Sequence, residues 1–448
     1  MKDYPPFWEE GIETLSPADL RPLQEERFKR QWRYVLERSP FYREKFERAG
    51  IQPERVRGLD DLPRLPFTTK GEIRASQAAR PPLGLHIACA PEDLRRIYSS
   101  SGTTGRPNYI GITRRDYGRW MEVAARSYYC GGVRPHHRVV SALGAGPFIV
   151  GSLLDVFERI GATVIPIGPG NTARIVAAFQ NLGARVLSCT PSYARYVANY
   201  CREQGIEPGS LGVELVTCGG EPGGGVPSVR REIEEGFGCR VAEFMGLSEI
   251  GVALWGECPC KEGMHLSGGD DLFVELVDPD TGEPVEMADG AQGELVYTHL
   301  NRECVPLIRY RSGDHATVWS RPCACGRKSI RTRCIGRTDD LLIVRGVNVY
   351  PSAVKDVVGS FRPRTTGEMM IVLKSPGPRV DPPLAIEVEH SEGAADLPRL
   401  KAEIEAALRD RLVFRAEAKL VPPGTLPRHQ FKAQLVRKEY SERPAGLA

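Results

Sequence analysis

Between residues 138 and 218 apolar strand patterns and helical patterns take strict turns. Arg138–Leu143, Ala162–Ile167, Ala184–Ser188 and Leu215–Cys218 read as short strands, and 171–182 and 191–204 read as helices between them. Strands joined by helices cannot pair as hairpins. They pair in parallel, with helices covering the sheet, so this stretch predicts an α/β layer structure. An earlier helix is predicted from about Arg115 to Tyr129. Another runs over 22–48, broken at Ser39-Pro40, where proline can open a new helix.

The pattern changes twice more. Past residue 264, the short strand candidates Leu272–Val277, Gly293–Thr298 and Val305–Tyr310 are joined by Asp-Pro-Asp-Thr-Gly and Ala-Asp-Gly turns, which indicates a β-rich subdomain. Beyond Gly336, Pro351 opens a helix, Met369–Leu373 and Leu384–Val388 read as strands, and Leu397–Leu408 is helical. The expected organisation is a large domain over 1–338 with a β-rich part at about 256–335, and a small α+β domain over 339–448. With 60 basic and 57 acidic residues in 448, a polybasic nucleic-acid or membrane surface is not expected. The opening Met-Lys-Asp-Tyr-Pro-Pro lacks an apolar signal stretch, and no apolar run approaches the ~20 residues needed to span a bilayer. The expectation is a cytoplasmic protein.

Residues Tyr98-Ser-Ser-Ser-Gly-Thr-Thr-Gly-Arg-Pro107 pack three serines, two threonines and two glycines into ten positions. Hydroxyls and free backbone N–H groups suit phosphate oxygens, and glycine lets the backbone curl around them. No Gly-Lys-Ser/Thr follows, so this is not a Walker loop. Composition alone leaves an ordinary surface loop as the alternative. Of the twelve cysteines most stand singly in apolar surroundings and suit a buried core. Cys258-Pro-Cys260, His265 and Cys323-Ala-Cys325 differ, because two Cys-x-Cys turns and a histidine form a ligand set for borderline-soft Zn²⁺.

The loop at 98–107 resembles the phosphate-binding loop of the adenylate-forming superfamily. Further matches run in order along the chain: Ser39-Pro-Phe-Tyr-Arg-Glu-Lys-Phe46, Leu65-Pro-Phe-Thr-Thr-Lys70, Thr190-Pro-Ser-Tyr193, Gly220-Glu-Pro222, Gly246-Leu-Ser-Glu249, Ile308-Arg-Tyr-Arg-Ser-Gly-Asp314, Gly336-Arg-Thr-Asp-Asp340 and Arg345-Gly-Val-Asn-Val-Tyr-Pro351. Together they resemble the phenylacetate–coenzyme A ligase-like family.

That resemblance implies ATP-dependent activation of an aryl acid as acyl-AMP with loss of pyrophosphate, then thioester formation with coenzyme A. It also implies a large α/β domain and a mobile small domain. Ser99, Ser100, Ser101, Gly102, Thr103, Thr104 and Gly105 would wrap the phosphates. Glu249 would hold Mg²⁺, with Thr104 as a candidate helper. Gly220, Glu221 and Pro222 would line the adenine, with Met245 and Gly246 beside it. Asp314 would accept the ribose hydroxyls, and Arg337 would contact ribose or phosphate. Lys432, in Leu426-Pro-Arg-His-Gln-Phe-Lys-Ala433, would be the catalytic lysine, although Phe431 stands where glycine is usual. Asp339 matches a hinge, and 345–350 would face the pantetheine channel. Some relatives carry Cys, His and Cys-x-Cys at the metal positions, which gives Cys258, His265, Cys323 and Cys325 as structural zinc ligands; Cys260 is a surplus thiol able to replace one of them. A homodimer is common in the family.

Departures bear on the acid. Ala145 and Gly146 stand near a usual aromatic, Met245 replaces a usual tyrosine, and Gly223-Gly-Gly225 is unusual. These point away from phenylacetate itself, toward an amino- or hydroxy-substituted benzoate. Transfer to a carrier protein or an amine, nitrite activation for diazotisation, and a non-catalytic nucleotide-binding role are the alternatives.

Overall fold

The computed structural model describes residues 4–100, 108–144, 146, 148–345, 347–375, 377–428 and 433–440. Its centre is a twelve-stranded sheet. At one end Thr163–Pro166, Arg138–Ser141, Val186–Cys189, Leu215–Gly219 and Arg240–Leu247 lie side by side in that order, all parallel. The connecting helices Thr172–Leu182, Pro191–Glu203 and Pro227–Phe237 cover it. Val140, Leu187 and Val216 meet Phe179, Val197 and Ile233 in one buried cluster, as the alternation of patterns requires.

Past Arg240–Leu247 the pairing turns antiparallel. Gly251–Glu257, Met264–Leu266, Arg331–Arg337, Tyr310–Trp319, Gln292–His299, Leu272–Val277 and Pro284–Val285 follow across the same sheet. The β-rich part is therefore joined to the α/β part edge to edge. Helix Arg114–Cys130 lies over this junction. Its start is fixed by a capping box between Thr113 and Asp116. A Cβ on Gly256 would stand 2.5 Å from the Ser127 carbonyl, so helix and strand approach as closely as glycine permits. Arg126 on this helix is buried and ion-paired to Asp270 at 2.5 Å and to Glu9 at 2.6 Å, so its charge is compensated.

One expected strand is absent. Val305–Tyr310 is a loop up to Tyr310, where the strand Tyr310–Trp319 begins. Pro306 has no N–H to give a ladder. The next three N–H groups go to side chains instead: Leu307 to His299 Nδ1, Ile308 to Tyr42 Oη and Arg309 to Thr298 Oγ1, at 2.8–3.0 Å. The small C-terminal unit follows the expected pattern. Its four-stranded sheet runs Ala416–Val421, Leu384–His390, Thr365–Leu373 and Val436–Lys438, with helices Pro351–Gly359 and Leu397–Leu412 packed on it through Val354, Val357, Leu400 and Ile404. Among the described residues no helix is long and apolar enough to cross a membrane.

Candidate active site and metal centre

The carboxyl ends of neighbouring parallel strands are where open α/β sheets place ligands. Four loops leave the sheet there side by side: the one after Arg138–Ser141, Thr190–Tyr193 after Val186–Cys189, Gly220–Pro222 after Leu215–Gly219, and Leu247–Ile250 after Arg240–Leu247. Thr190 caps its helix through Tyr193 N–H at 3.2 Å, and Tyr193 Oη meets Thr172 Oγ1 at 2.9 Å. Ala145 and Pro147 of the first loop lie outside the described residues.

The Ser-rich segment connects strands Leu94–Ser99 and Tyr109–Thr113. Ser100 and Asn108 close its neck with two hydrogen bonds, Ser100 N–H to the Asn108 carbonyl at 2.8 Å and Asn108 N–H to Ser100 Oγ at 3.1 Å. Ser99 and Ser100 are buried; Ser101, Gly102, Thr103, Thr104 and Gly105 lie outside the described residues. At the neck Asn108 Nδ2 donates to Glu249 Oε1 at 3.4 Å, which brings the buried Glu249 carboxylate to the base of the loop.

A cationic group reaches the same carboxylate. Lys70 Nζ lies 3.6 Å from Glu249 Oε1. The segment before it is held by main-chain bonds: Thr68 N–H donates to the Arg309 carbonyl and Arg311 N–H to the Thr68 carbonyl, both at 2.9 Å. The sequence places Lys70 in the family match Leu65–Lys70 but does not single it out as a candidate site residue. Its signal was the capping box Thr69-x-x-Glu72, which makes Lys70 the first helical residue.

Asp314 and Arg337 are opposite each other on paired strands, and Arg337 Nη1 donates to Asp314 Oδ1 at 3.1 Å. Gly313, at φ 75°, leaves room for this guanidinium; a Cβ there would stand 2.7 Å from Nη2. Met245 lies half-buried opposite Trp255, and Gly246 sits in a bulge where a Cβ would be 2.3 Å from the Val252 carbonyl oxygen. The carboxylate of Glu221 is engaged on both sides, Oε1 accepting from Ser192 N–H at 2.8 Å and Oε2 from Ala433 N–H. Lys432 itself, and the side chain of Asp339, lie outside the described residues.

On the sheet's antiparallel side the ligand atoms of Cys258, His265, Cys323 and Cys325 lie within 4.8 Å of one another. Cys258 and Cys323 sulfurs are 3.7 Å apart, and Cys325 Sγ is 3.3 Å from His265 Nε2. A tetrahedral ion with metal–sulfur bonds of about 2.3 Å requires sulfurs about 3.8 Å apart, so the donor set and spacing suit zinc. Ser329 Oγ lies 3.4 Å from His265 Nδ1, which leaves Nε2 facing the thiols. The hydrogen bond from Cys258, with a further one from His265, draws the Cys325 thiol well below its ordinary range against the opposing effect of burial. Cys260 stands beside this cluster without belonging to the quartet.

AMP-binding enzymes match residues 14–301, and their C-terminal domain matches residues 346–439. A phenylacetate–coenzyme A ligase of Thermus thermophilus is 38% identical over 443 residues, covering 95% of this chain and 97% of that one. The chain belongs to the phenylacetate–coenzyme A ligase-like family of AMP-binding enzymes. It is an AMP-forming ligase. A solved 2-hydroxyisobutyryl-CoA ligase in its postadenylation state, in complex with R3-HIB-AMP, superposes with TM-score 0.89 at 30% identity, over 98% of this chain and 94% of that one. The same ligase in its thioesterification state, in complex with 2-HIB-AMP and CoA, gives 0.71 over the same shares, at 31% identity. This chain is thus more similar overall to the postadenylation form of that ligase than to its thioesterification form.

Proposed function

We propose that this ligase activates an aryl carboxylic acid, a substituted benzoate or arylacetate, as its acyl-adenylate and then transfers the acyl group to coenzyme A. The observation that carries the reading is the buried Glu249 carboxylate held at the Ser100–Asn108 neck beside the carboxyl ends of the parallel strands, with the Asp314–Arg337 pair on the antiparallel part of the same sheet. The relatives' names support an arylacetate or a near analogue as the acid.

In this reading Asp314 accepts the ribose hydroxyls, oriented by Arg337, and Gly220–Pro222 lines the adenine. Ser99 and Ser100 start the segment that wraps the phosphates. Bringing a carboxylate onto a polyphosphate concentrates negative charge, so cations must stand where the charge moves. Lys432 would bridge the attacking carboxylate and the α-phosphate. Glu249 would hold Mg²⁺, whose role when bound is to neutralise charge on the phosphate oxygens. Lys70, beside Glu249, adds a second positive charge at the same place. The acid would lie along the loop after Arg138–Ser141 and against Thr190–Tyr193. Cys258, His265, Cys323 and Cys325 would hold a structural zinc; four protein ligands leave no open position for chemistry.

The test is acid-dependent exchange of labelled pyrophosphate into ATP with Mg²⁺, across phenylacetate, amino- and hydroxybenzoates and 2-hydroxyisobutyrate. Exchange with an aryl acid, and thioester on adding coenzyme A, is the expected result. Exchange only with the aliphatic acid would overturn the aryl assignment. Product formed with an amine, nitrite or a carrier protein in place of coenzyme A would overturn the second step.

A further inference from the structure

A continuous polar seam joins the helices over the parallel strands to the C-terminal sheet. Arg195, on Pro191–Glu203, donates Nε to Glu232 at 2.6 Å and pairs through Nη1 with Glu368 at 2.8 Å. Its Nη2 reaches the Thr366 carbonyl at 3.3 Å. Glu232, on Pro227–Phe237, also takes Arg362 at 2.8 Å. Ser228 N–H donates to Asp356 at 3.3 Å. The side chains of Arg195, Glu232 and Glu368 are 6%, 14% and 16% exposed, so these charges are largely removed from water and depend on one another. Lys355 lies within electrostatic reach of Glu368, Arg195, Glu221 and Glu232.

Glu221 completes it. One oxygen takes the N–H of Ser192 in the first turn of the helix after Thr190; the other takes the N–H of Ala433, the residue after Lys432 in the chain. Both donors are main-chain groups, so the carboxylate ties the backbone at 433 to the proposed acid pocket by charge-assisted bonds. Every bond in the seam has one partner on each side of the boundary or supports one that does. The solved 2-hydroxyisobutyryl-CoA ligase matches this chain at TM-score 0.89 in its postadenylation state and 0.71 in its thioesterification state, so the arrangement that carries this seam is more similar to the first than to the second.

We infer that Glu221 is a positioning residue for the adenylation half-reaction, and that Arg195 with Glu232, Arg362 and Glu368 forms the latch that keeps the C-terminal sheet within its reach. The inference rests on the proposed two-step reaction and adds to it a residue that acts through the main chain rather than on substrate.

Glu221→Gln sets an amide N–H₂ against one of the two N–H donors and removes the charge. Adenylation, read as pyrophosphate exchange, is expected to fall by about 10- to 100-fold in kcat with little change in KM for ATP. Thioester formation from supplied acyl-adenylate falls much less, so the ratio of the two half-reactions drops about ten-fold or more. Glu221→Asp is expected to recover part of that ratio. An equal loss in both half-reactions, or a rise in KM for ATP with kcat unchanged, would overturn the assignment. Hydrogen-exchange mass spectrometry of the unliganded full-length protein reads the contact without any substrate. Peptides containing Ser192 and Ala433 should exchange faster in Glu221→Gln, and those containing Ala433 faster in Glu368→Gln. Unchanged protection in both variants rejects the latch, whereas these changes in the variants of an enzyme whose wild type activates no acid reject only the proposed reaction.

Discussion

His299 accepts Leu307 N–H on Nδ1 at 3.0 Å, which leaves Nε2–H to face the Ile250 carbonyl at 3.3 Å. A second ring proton would meet an N–H donor, and burial, with Arg302 adding to it, holds this imidazole at about 3. Burial likewise holds His86 and His137 at about 4. In the window from about 4 to 6.5 the unfolded chain binds these protons and the folded chain does not, so stability rises with pH there and is lost on acidification. Each group contributes up to about 1.4 kcal/mol per pH unit in that window. Urea unfolding at pH 5, 6 and 7 should show this slope, and His299→Gln should flatten it by about a third; an unchanged slope would exclude His299 as a source. Under the proposed reaction, Lys432→Ala is expected to cost about 10²- to 10³-fold in pyrophosphate exchange while ATP still binds by calorimetry. Exchange at the wild-type rate would remove Lys432 from the mechanism. Single residues were unevenly legible in the sequence. The Cys-x-Cys turns announce ligands by type and spacing alone. Lys70 does not announce itself, because its place beside Glu249 depends on main-chain bonds from Thr68 to residues some 240 positions away.

Strands and helices were legible where their own residues satisfied their own backbone. Leu272–Val277 has the expected bounds because alternation along it matches burial along it. The break expected at Ser39-Pro40 is there, with Ser39 capping the helix Pro40–Arg48, whereas the helix before it begins at Pro17 rather than near 22, where Ser16 caps it ahead of the apolar pattern. Residues 305–309 were misjudged for the opposite reason: their N–H partners are side chains on distant elements, which no local pattern records. Gly246 is a case where an element leaves no choice of residue. A Cβ would stand 2.3 and 2.5 Å from the carbonyl oxygens of Val252 and Gly251, which are main-chain atoms and cannot swing aside. Gly246→Ala should therefore part the two strands, lower stability by about 1–3 kcal/mol and depress exchange more than stability, since Glu249 follows within three residues. Full activity at wild-type stability would show that the bulge relaxes. The Cys258, His265, Cys323 and Cys325 quartet is proposed as an element-level clamp as well. Chelation, or Cys258→Ser, should lower the thermal midpoint and release one zinc per chain, measurable by a colorimetric indicator; absence of bound metal in the purified protein would refute the zinc assignment.

At the scale of the whole molecule, the alternation of strands and helices foretold the parallel half of the sheet, but nothing in it foretold that the antiparallel strands would continue the same sheet. That continuity runs through a three-residue strand. Met264–Leu266 pairs on one side with Gly251–Glu257 and on the other with Arg331–Arg337, the latter through two residue pairs. Glu249 belongs to the half beyond the first seam; Asp314 and Arg337 belong to the half beyond the second. A plate is as stiff as its narrowest weld, and here His265 sits on the weld, Cys258 closes it from one half, and Cys323 and Cys325 close it from the loop that feeds the other. A load applied across the sheet would concentrate there. The thiols and imidazole thus stand between Glu249 and the Asp314–Arg337 pair, and under the proposed reaction an enzyme stripped of a zinc held there should handle ATP as two loosely coupled grips before it loses its fold.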